Sequence, residues 1–226
     1  MPTLLLIRHG DNEFIARNKL AGRLPGVHLN DKGRQQAAAL AVLLAQAPLK
    51  AIYSSPMERA VETAQPLAAA LGLEVQVRPQ LIELNYGRWQ GRTFKQLARI
   101  KLWKTVHDNP SVVRFPGGES FVEVQQRVAA ELDAIAALHG DDELVACFSH
   151  GDVIRLAVAY YLQMPLNAYQ RLSVQTCSIT VLVHNKEHVA VPHINQVAGF
   201  EIKPPPPKKE EKKAQAHAAA AAVGPA

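Results

Sequence analysis

Cysteine is scarce in this chain of 226 residues, which contains only Cys147 and Cys177. Both lie in apolar, strand-like stretches, so we expect buried thiols and no disulfide framework. Long hydrophobic runs are also missing, because the N-terminal run from Leu4 to Ile7 is too short for a secretory signal core and no segment reaches membrane-spanning length. These absences predict a protein of a soluble, reducing compartment, most simply the cytoplasm, without a membrane partner.

Most of the chain lacks a strong excess of either positive or negative charge. The formal net charge is +5, but from Lys203 onward there are five lysines and two glutamates, so this end holds +3 and the rest only +2. A nucleic-acid partner would need a basic face, which this balance does not provide. A small anionic ligand held by a few local arginines fits the composition better.

The composition changes abruptly at Lys203, where four prolines are followed by mixed charge and a run of alanines. Such a segment has too little to bury to fold by itself. We therefore predict one folded domain over residues 1–202, long enough for a well-developed core, and a disordered Pro/Lys/Ala-rich tail over 203–226. The tail could bind a partner or, more simply, keep the protein in solution.

Strand-like and helix-like patterns alternate along residues 1–202. Apolar runs predict strands over 3–8, 50–54, 74–77 and 144–149, helical periodicity predicts helices over 31–48, 56–71, 121–138 and 152–162, and residues 177–194 are typical of a hairpin that turns at Asn185–Lys186. Asn30 or Asp31 is the predicted cap of the first helix, and Ser55, Pro56 and Glu58 form a predicted capping box for the second. The alternation predicts an α/β fold, a three-layer α/β/α sandwich around a mainly parallel sheet with an antiparallel edge strand.

Two predicted strands end in the same unusual way. Arg8-His9-Gly10 follows the first strand, and Ser149-His150-Gly151 follows a later one. Ligands of such sheets gather beyond the carboxyl ends of the strands, and a glycine lets the backbone approach a ligand closely. Arg59, in the first turn of the helix after the second strand, faces the same rim.

Two arginines and two histidines at one point suggest a tetrahedral oxyanion, with phosphate as the obvious candidate. Predicted helix N-termini nearby add backbone donors. The alternative is a pair of unrelated surface histidines with arginines in routine ion pairs. The repeated strand-end context, with arginine partners, favours the phosphate site.

Five segments, "RHG", "SSPMERAVETA", "LIELNYGRWQG", "PGGES" and "SHGDVIR", resemble in order and spacing the histidine phosphatase superfamily, in its phosphoglycerate mutase-like branch. The resemblance implies that His9 is the nucleophile that becomes phosphohistidine and that Arg8 and Arg59 clamp the phosphate. It also implies that His150 hydrogen-bonds the transferred group and that Glu83 is the general acid. It implies no metal and no other cofactor. Further substrate-binding positions on this basis are Gly151, Asn12 and Gly22.

Elementary chemistry agrees with these roles. Attack requires a neutral His9, and neighbouring guanidinium charges lower the pKa of an imidazole. Glu83 must be protonated to act as an acid, so we expect an apolar wall around it, with Leu84, Tyr86 and Trp89 as candidates. As alternatives, Glu83 could only pair with an arginine, and Tyr86 and Trp89 could belong to the core. Arg155 is interpreted as a structural ion-pair residue.

The chain departs from the family pattern in the loop that follows the first strand. Ile15 stands where an asparagine that contacts phosphate is expected, and Asn12 or Asn18 could replace it. Gly26-Val27-His28 replaces the usual aspartate-proline pair. Substrate contacts in this loop are therefore open, and we expect the remaining walls of the pocket to come from residues 23–28, 85–89 and 94–115.

Three functions are considered. The first is a metal-independent phosphomonoesterase (a histidine acid-type phosphatase) that acts on a small phosphorylated metabolite through phosphohistidine. The second is a phosphoglycerate mutase-type phosphomutase. The third, an inactive phosphate-binding module, is disfavoured because all five catalytic positions are present. A homodimer is left open.

Overall fold

The computed structural model describes residues 2–185 and 188–197. The predicted tail, the last residues of the predicted domain and Lys186 of the hairpin turn lie outside this range. Within the described residues, no helix combines the length and the apolarity needed to cross a membrane. Cys147 and Cys177 are both buried and unpaired, as the sequence predicts.

The described chain forms six strands and seven α-helices. The strands are β1 (Thr3–Arg8), β2 (Leu49–Ser54), β3 (Val75–Val77), β4 (Leu144–Ser149), β5 (Ile179–His184) and β6 (Val189–Gln196). The helices are α1 (Glu13–Ala16), α2 (Asp31–Leu44), α3 (Glu58–Leu71), α4 (Phe94–Leu97), α5 (Lys101–Asp108), α6 (Phe121–Ala137) and α7 (Gly151–Tyr161). Short 3₁₀ helices lie at Pro79–Leu81, Gly87–Trp89, Pro110–Val112 and Leu166–Arg171.

The six strands form one sheet in the order β3-β2-β4-β1-β5-β6. The pairs β2–β3, β2–β4 and β1–β4 are parallel, whereas β5 pairs antiparallel with both β1 and β6. The predicted mainly parallel sheet with antiparallel pairing towards one edge is confirmed. Because β1 and β4 are central and parallel, their carboxyl ends open side by side at one rim.

Helices cover both faces of the sheet. Alternate residues of a strand point to opposite faces, and β1 follows this rule. Leu4 and Leu6 pack into a cluster with residues of α6 and α7, whereas Leu5 and Ile7 pack into a second cluster with residues of α2 and α3. The predicted three-layer sandwich is confirmed, and it explains why β1 is apolar on both faces.

Two local predictions about helix ends differ from the structure. The capping box at Ser55 is wrong, because α3 begins at Glu58 and its N-cap residue, Met57, makes no side-chain cap. The Ser55 hydroxyl oxygen accepts from Met57 N at 3.3 Å, before the helix begins, and it also lies 2.7 Å from His150 Nε2. Helix α2 ends at Leu44, four residues early, because a residue before proline disfavours helical geometry and Pro48 follows closely. Its predicted cap is confirmed, since Asn30 Oδ1 accepts from Gly33 N at 2.8 Å.

Candidate active site

The ends of β1 and β4 bring the two predicted histidines together. Arg8 and Ser149 are opposite each other in the parallel register, and His9 N donates to the Ser149 carbonyl at 3.0 Å. The ring centroids of His9 and His150 are therefore only 5.2 Å apart, with the rings tilted by 59°. Both imidazoles are buried, with relative exposures of 3% and 0%.

A cavity of about 200 Å³ lies at this rim. All of the predicted site residues except His150 line it. The lining residues are Arg8, His9, Asn12, Phe14, Ile15, Asn18, Lys19, Leu20, Ala21, Gly22, Arg59, Glu83, Tyr86, Phe94, Gly151, Asp152 and Arg155. We call it the phosphate cavity below, and His150 stands behind its wall in contact with Arg59 and Glu83.

The surroundings of His9 select one protonation state. Its Nδ1 lies 2.7 Å from the Gly10 carbonyl, which can only accept, so Nδ1 carries the proton and Nε2 has a free lone pair. Arg59 Nε donates to that lone pair at 3.3 Å, a long contact compared with an ordinary hydrogen bond. Burial, and then the charges of Arg59 and Arg8, hold the pKa of His9 well below its ordinary 6.5. The neutral form with an open Nε2 is the form that can attack an electrophile.

His150 is also held neutral, with the opposite tautomer. Arg59 Nη2 lies 3.2 Å from Nδ1 and can only donate, so Nδ1 is the acceptor and Nε2 carries the proton towards Ser55 Oγ. Burial and the charge of Arg59 hold the pKa of His150 well below 6.5. This arrangement fixes the orientation of the ring relative to the cavity.

Arg59 is buried and Arg8 is half-buried, and the hydrogen-bonding groups of both are only partly satisfied. Arg59 is 1% exposed, and its Nη2 donates to the Gly22 carbonyl at 2.8 Å, while Arg8 Nη1 donates to the Val174 carbonyl at 2.7 Å. Arg8 Nε and Arg59 Nη1, by contrast, are buried nitrogens that have no hydrogen-bond partner among the described residues. A buried unpaired donor costs about 1–3 kcal/mol, so such donors beside a cavity indicate a place for an anionic acceptor.

Glu83 lies beside His150 as a buried carboxyl group. Its Oε1 accepts from Leu84 N at 2.9 Å, and its Oε2 is 3.7 Å from His150 Nδ1. Burial and the negative charge of Asp152 raise the pKa of Glu83 from 4.5 to about 7, against the opposing charges of Arg59 and Arg8. The carboxyl group is therefore poised to hold or release a proton near neutral pH.

Three residues of the site were missed by the sequence analysis. Ser55 orients His150, Thr63 Oγ1 accepts from Gly10 N at 2.9 Å, and Asp152 is the second carboxylate near Glu83. Asp152 accepts a hydrogen bond from the Tyr86 hydroxyl and pairs with Arg155 at 3.3 Å. The rim position of Ser55, directly after β2, was the available signal for that residue.

The three residues predicted to form an apolar wall around Glu83 are core residues. Leu84, Tyr86 and Trp89 are all buried and belong to one core cluster, and only Tyr86 also lines the phosphate cavity. Arg155 forms the expected ion pair, although it lines the phosphate cavity as well. The space beside Gly151 is taken by the Arg8 guanidinium, 3.2 Å from an added Cβ, so this glycine makes room for the Arg8 side chain.

The loop after β1 keeps Asn12, Ile15 and Asn18 at the cavity. Asn12 Oδ1 is used as the cap of α1, accepting from Phe14 N at 3.0 Å and Ile15 N at 3.1 Å. Gly22 contributes its carbonyl to Arg59 from a left-handed φ of 55°, where a Cβ would collide with Gln90 Oε1 at 2.3 Å. A glycine is therefore required at this turn.

His9, Glu83 and His150 could also be considered as metal ligands, because their ligating atoms all lie within 4.8 Å of one another. A His₂Glu set is typical of zinc. Arg59, however, is within 3.3 Å of both imidazoles, so a divalent cation held by them would meet a buried guanidinium charge. The donor set fits an anion better than a cation.

Comparisons with known proteins agree with this geometry. A sequence profile of the histidine phosphatase superfamily (branch 1) matches residues 4–197. Bifunctional protein Rv2228c of Mycobacterium tuberculosis is 34% identical over 182 residues, 79% of this chain, but the chain spans only 49% of that relative's length. A probable phosphoglycerate mutase, GpmB of Erwinia tasmaniensis, is 31% identical over 188 residues, 82% of this chain and 86% of the relative.

Solved structures support the same assignment. The crystal structure of a phosphoserine phosphatase from Entamoeba histolytica, in complex with 3-phosphoglyceric acid, superposes with a TM-score of 0.80 at 27% identity. The match covers 88% of this chain and 98% of the other. Because the family profile matches nearly all of the described residues, this chain belongs to the histidine phosphatase superfamily, branch 1.

Proposed function

We propose that this protein is a metal-independent phosphomonoesterase that hydrolyses a small phosphorylated metabolite through a phosphohistidine at His9. One observation carries the proposal: two buried, unpaired guanidinium nitrogens, Arg8 Nε and Arg59 Nη1, belong to residues that line one cavity with a neutral histidine. A phosphate group would supply the acceptors that these donors lack. The long contact from Arg59 Nε to His9 Nε2 would be exchanged for one to phosphate.

The first half-reaction follows from these positions. His9 Nε2 attacks phosphorus, the bond from phosphorus to the alcohol oxygen breaks, and Glu83 gives its proton to the departing alkoxide. Arg8 and Arg59 stabilise the charge that spreads over the three equatorial oxygens, and His150 orients the Arg59 guanidinium through its Nδ1. A carboxyl group with a pKa of about 7 is suited to this step, because it is still substantially protonated near neutral pH.

The second half-reaction reverses the role of Glu83. Its carboxylate takes a proton from a water molecule, the water oxygen attacks the phosphohistidine, and the bond from phosphorus to Nε2 breaks. Inorganic phosphate leaves and His9 returns to its neutral form, so protons and charges balance over the cycle.

Phosphomutase activity is the second candidate, favoured by the similarity to the probable phosphoglycerate mutase. A phosphoglycerate-type substrate brings a carboxylate that needs its own cation. Four cationic side chains line the phosphate cavity; two are the proposed clamp, and Arg155 is already paired with Asp152 at 3.3 Å. Lys19 is the remaining lining cation, so the cavity offers weak support for a second acid group. This supports hydrolysis over isomerisation.

A chelator-containing assay tests the proposal. Ethyl phosphate, phosphoserine, 3-phosphoglycerate and an aryl phosphate are each incubated with the full chain, and inorganic phosphate and isomerised phosphoglycerate are measured. Phosphate release from at least one ester supports the phosphatase, and predominant isomerisation supports the mutase. Loss of turnover in chelator, with recovery on adding a divalent metal, would overturn the metal-independent mechanism.

The nucleophile is tested separately. His9→Ala should abolish turnover and the acid-labile phosphoenzyme, whereas His193→Ala, at an exposed position on β6, should retain both. Full turnover by His9→Ala would refute the assignment. Tight binding of inorganic phosphate with no turnover of any ester would indicate a phosphate-binding module. The cytoplasmic location remains a prediction, and the homodimer is left open.

A further inference from the structure

A second cavity adjoins the phosphate cavity. Its volume is about 250 Å³, and we call it the aromatic cavity. The two cavities have five lining residues in common, Leu20, Tyr86, Phe94, Asp152 and Arg155. Since these residues form a shared boundary, the second cavity lies directly beside the place proposed for the phosphate.

The wall of the aromatic cavity is built mainly from rings. Trp103 lies 5.9 Å from both Trp89 and Phe94, measured between ring centroids, and Trp89 meets Phe115 edge to face at 5.2 Å. Aromatic rings prefer such offset and edge-on partners, and a further ring could add to this array. Phe94 is 42% exposed, which places it at the entrance.

The polar groups of the wall are already engaged with one another. Asp152 accepts from the Tyr86 hydroxyl and pairs with Arg155. On the opposite side, Gln170 Nε2 donates to the Val106 carbonyl at 2.9 Å, and its Oε1 lies 3.0 Å from His107 Nδ1. A charged group entering here would lose water and would compete for polar groups that already have partners, so the cavity favours an uncharged occupant.

We infer that the aromatic cavity binds the alcohol portion of the substrate, and that this portion is an uncharged aromatic group. The inference rests on the proposed function, because the phosphate cavity must hold the phosphate of the same molecule. The cavity is large enough, since an apolar cavity of about 150 Å³ is known to accept benzene. The substrate class is then a phosphomonoester of an aromatic or arylalkyl alcohol.

Two non-hydrolysable probes test the inference without requiring turnover. Dissociation constants of 3-phenylpropylphosphonate and propylphosphonate are measured by calorimetry on the full chain. Because the probes differ only in the phenyl ring, their ratio isolates its contribution. Burial of the ring should make the phenyl probe at least about tenfold tighter. A ratio near one would overturn the inference, while release of phosphate from ethyl phosphate would still support the proposed phosphatase.

Variants locate the phenyl ring. Val106→Phe fills the aromatic cavity and should bring the ratio of the two dissociation constants close to one. Val112→Phe makes the same change at a position that is 68% exposed and outside the cavity, so it should keep the wild-type ratio. If Val106→Phe does not fold, as judged by thermal unfolding, Trp103→Ala is used, and it should lower the ratio by removing a wall. An unchanged ratio in the cavity variant that folds would refute the assignment.

Discussion

The raised pKa of Glu83 can be tested by measuring how the free energy of unfolding depends on pH. The pKa is about 7 in the folded protein and 4.5 for an ordinary glutamate, so ionisation of Glu83 is disfavoured in the folded state. This difference corresponds to about 3 kcal/mol of free energy of unfolding. Below pH 4.5 Glu83 is protonated in both the folded and the unfolded state, and its contribution to the free energy of unfolding is fully present. This contribution is lost as pH rises through 7. Above pH 7, the buried carboxylate therefore destabilises the protein.

The substitution Glu83→Gln removes this penalty while it keeps an oxygen for the Leu84 N–H. At pH 8 the variant should be more stable than the wild type by up to about 3 kcal/mol, and at pH 4 the two should be nearly equal. For a domain of this size, each 1 kcal/mol changes the melting temperature by about 2–4 °C. The gain comes with a loss of turnover, because the proposed proton donor has gone.

The assay is urea unfolding of both proteins at pH 4, 6 and 8, with the denaturant dependence checked for equal slopes. Glu119→Gln is a control of opposite sign. Although burial alone would raise the pKa of Glu119, hydrogen bonds and the charges of Arg127 and Arg23 lower it. That variant should lose stability at pH 8 and lose less as pH falls towards the lowered pKa. A Glu83→Gln difference that does not change with pH would refute the reasoning.

Three further predictions concern the surroundings of the site. Asp152→Asn removes a negative charge that raises the pKa of Glu83, so the fall in kcat/KM at alkaline pH should begin at lower pH than in the wild type, as measured by pH profiles of ester hydrolysis. Ser55→Ala removes the hydroxyl that orients the His150 imidazole. Because a buried hydrogen bond of about 1–3 kcal/mol is lost, kcat should fall about tenfold with little change in KM. An unchanged kcat would contradict this role. Gly33→Ala would place a Cβ 2.1 Å from the Asp11 carbonyl oxygen, in the loop after β1. The free energy of unfolding, measured with a denaturant, should fall by about 1–3 kcal/mol. Gly140→Ala is the control and should lower it much less, because the atom nearest to its added Cβ is 3.9 Å away.

The layered fold could be predicted from local patterns alone. The runs at Leu4–Ile7 and Val145–Phe148 are apolar on both faces, which is typical of strands covered by helices on both sides. Parallel strands open at the same rim, so the positions of His9 and His150 at the ends of two such runs were enough to predict that they meet. The family resemblance then supplied roles for Arg8, Arg59 and Glu83.

Local patterns were insufficient where a side chain has a partner far away in the sequence. The Ser55 hydroxyl oxygen accepts from Met57 N at 3.3 Å, as its position suggests, but it also lies 2.7 Å from a histidine 95 residues away in the sequence. The short helices between residues 94 and 112 were not predicted either. Some of their apolar residues line the aromatic cavity and others pack into the core, so these residues do not form a single helical stripe in the sequence.

The sequence by itself determined the order of strands and helices, the rim at which the proposed active site lies and the residues that reach it, because periodicity is a local property. Only the tertiary structure decided how the charges at that rim are tuned. The pKa of Glu83 depends on burial and on Asp152, 69 residues away in the sequence, and the neutral state of His9 depends first on its burial. Desolvation and Coulomb energies depend on distances in space, which are fixed only when the separate segments have packed together.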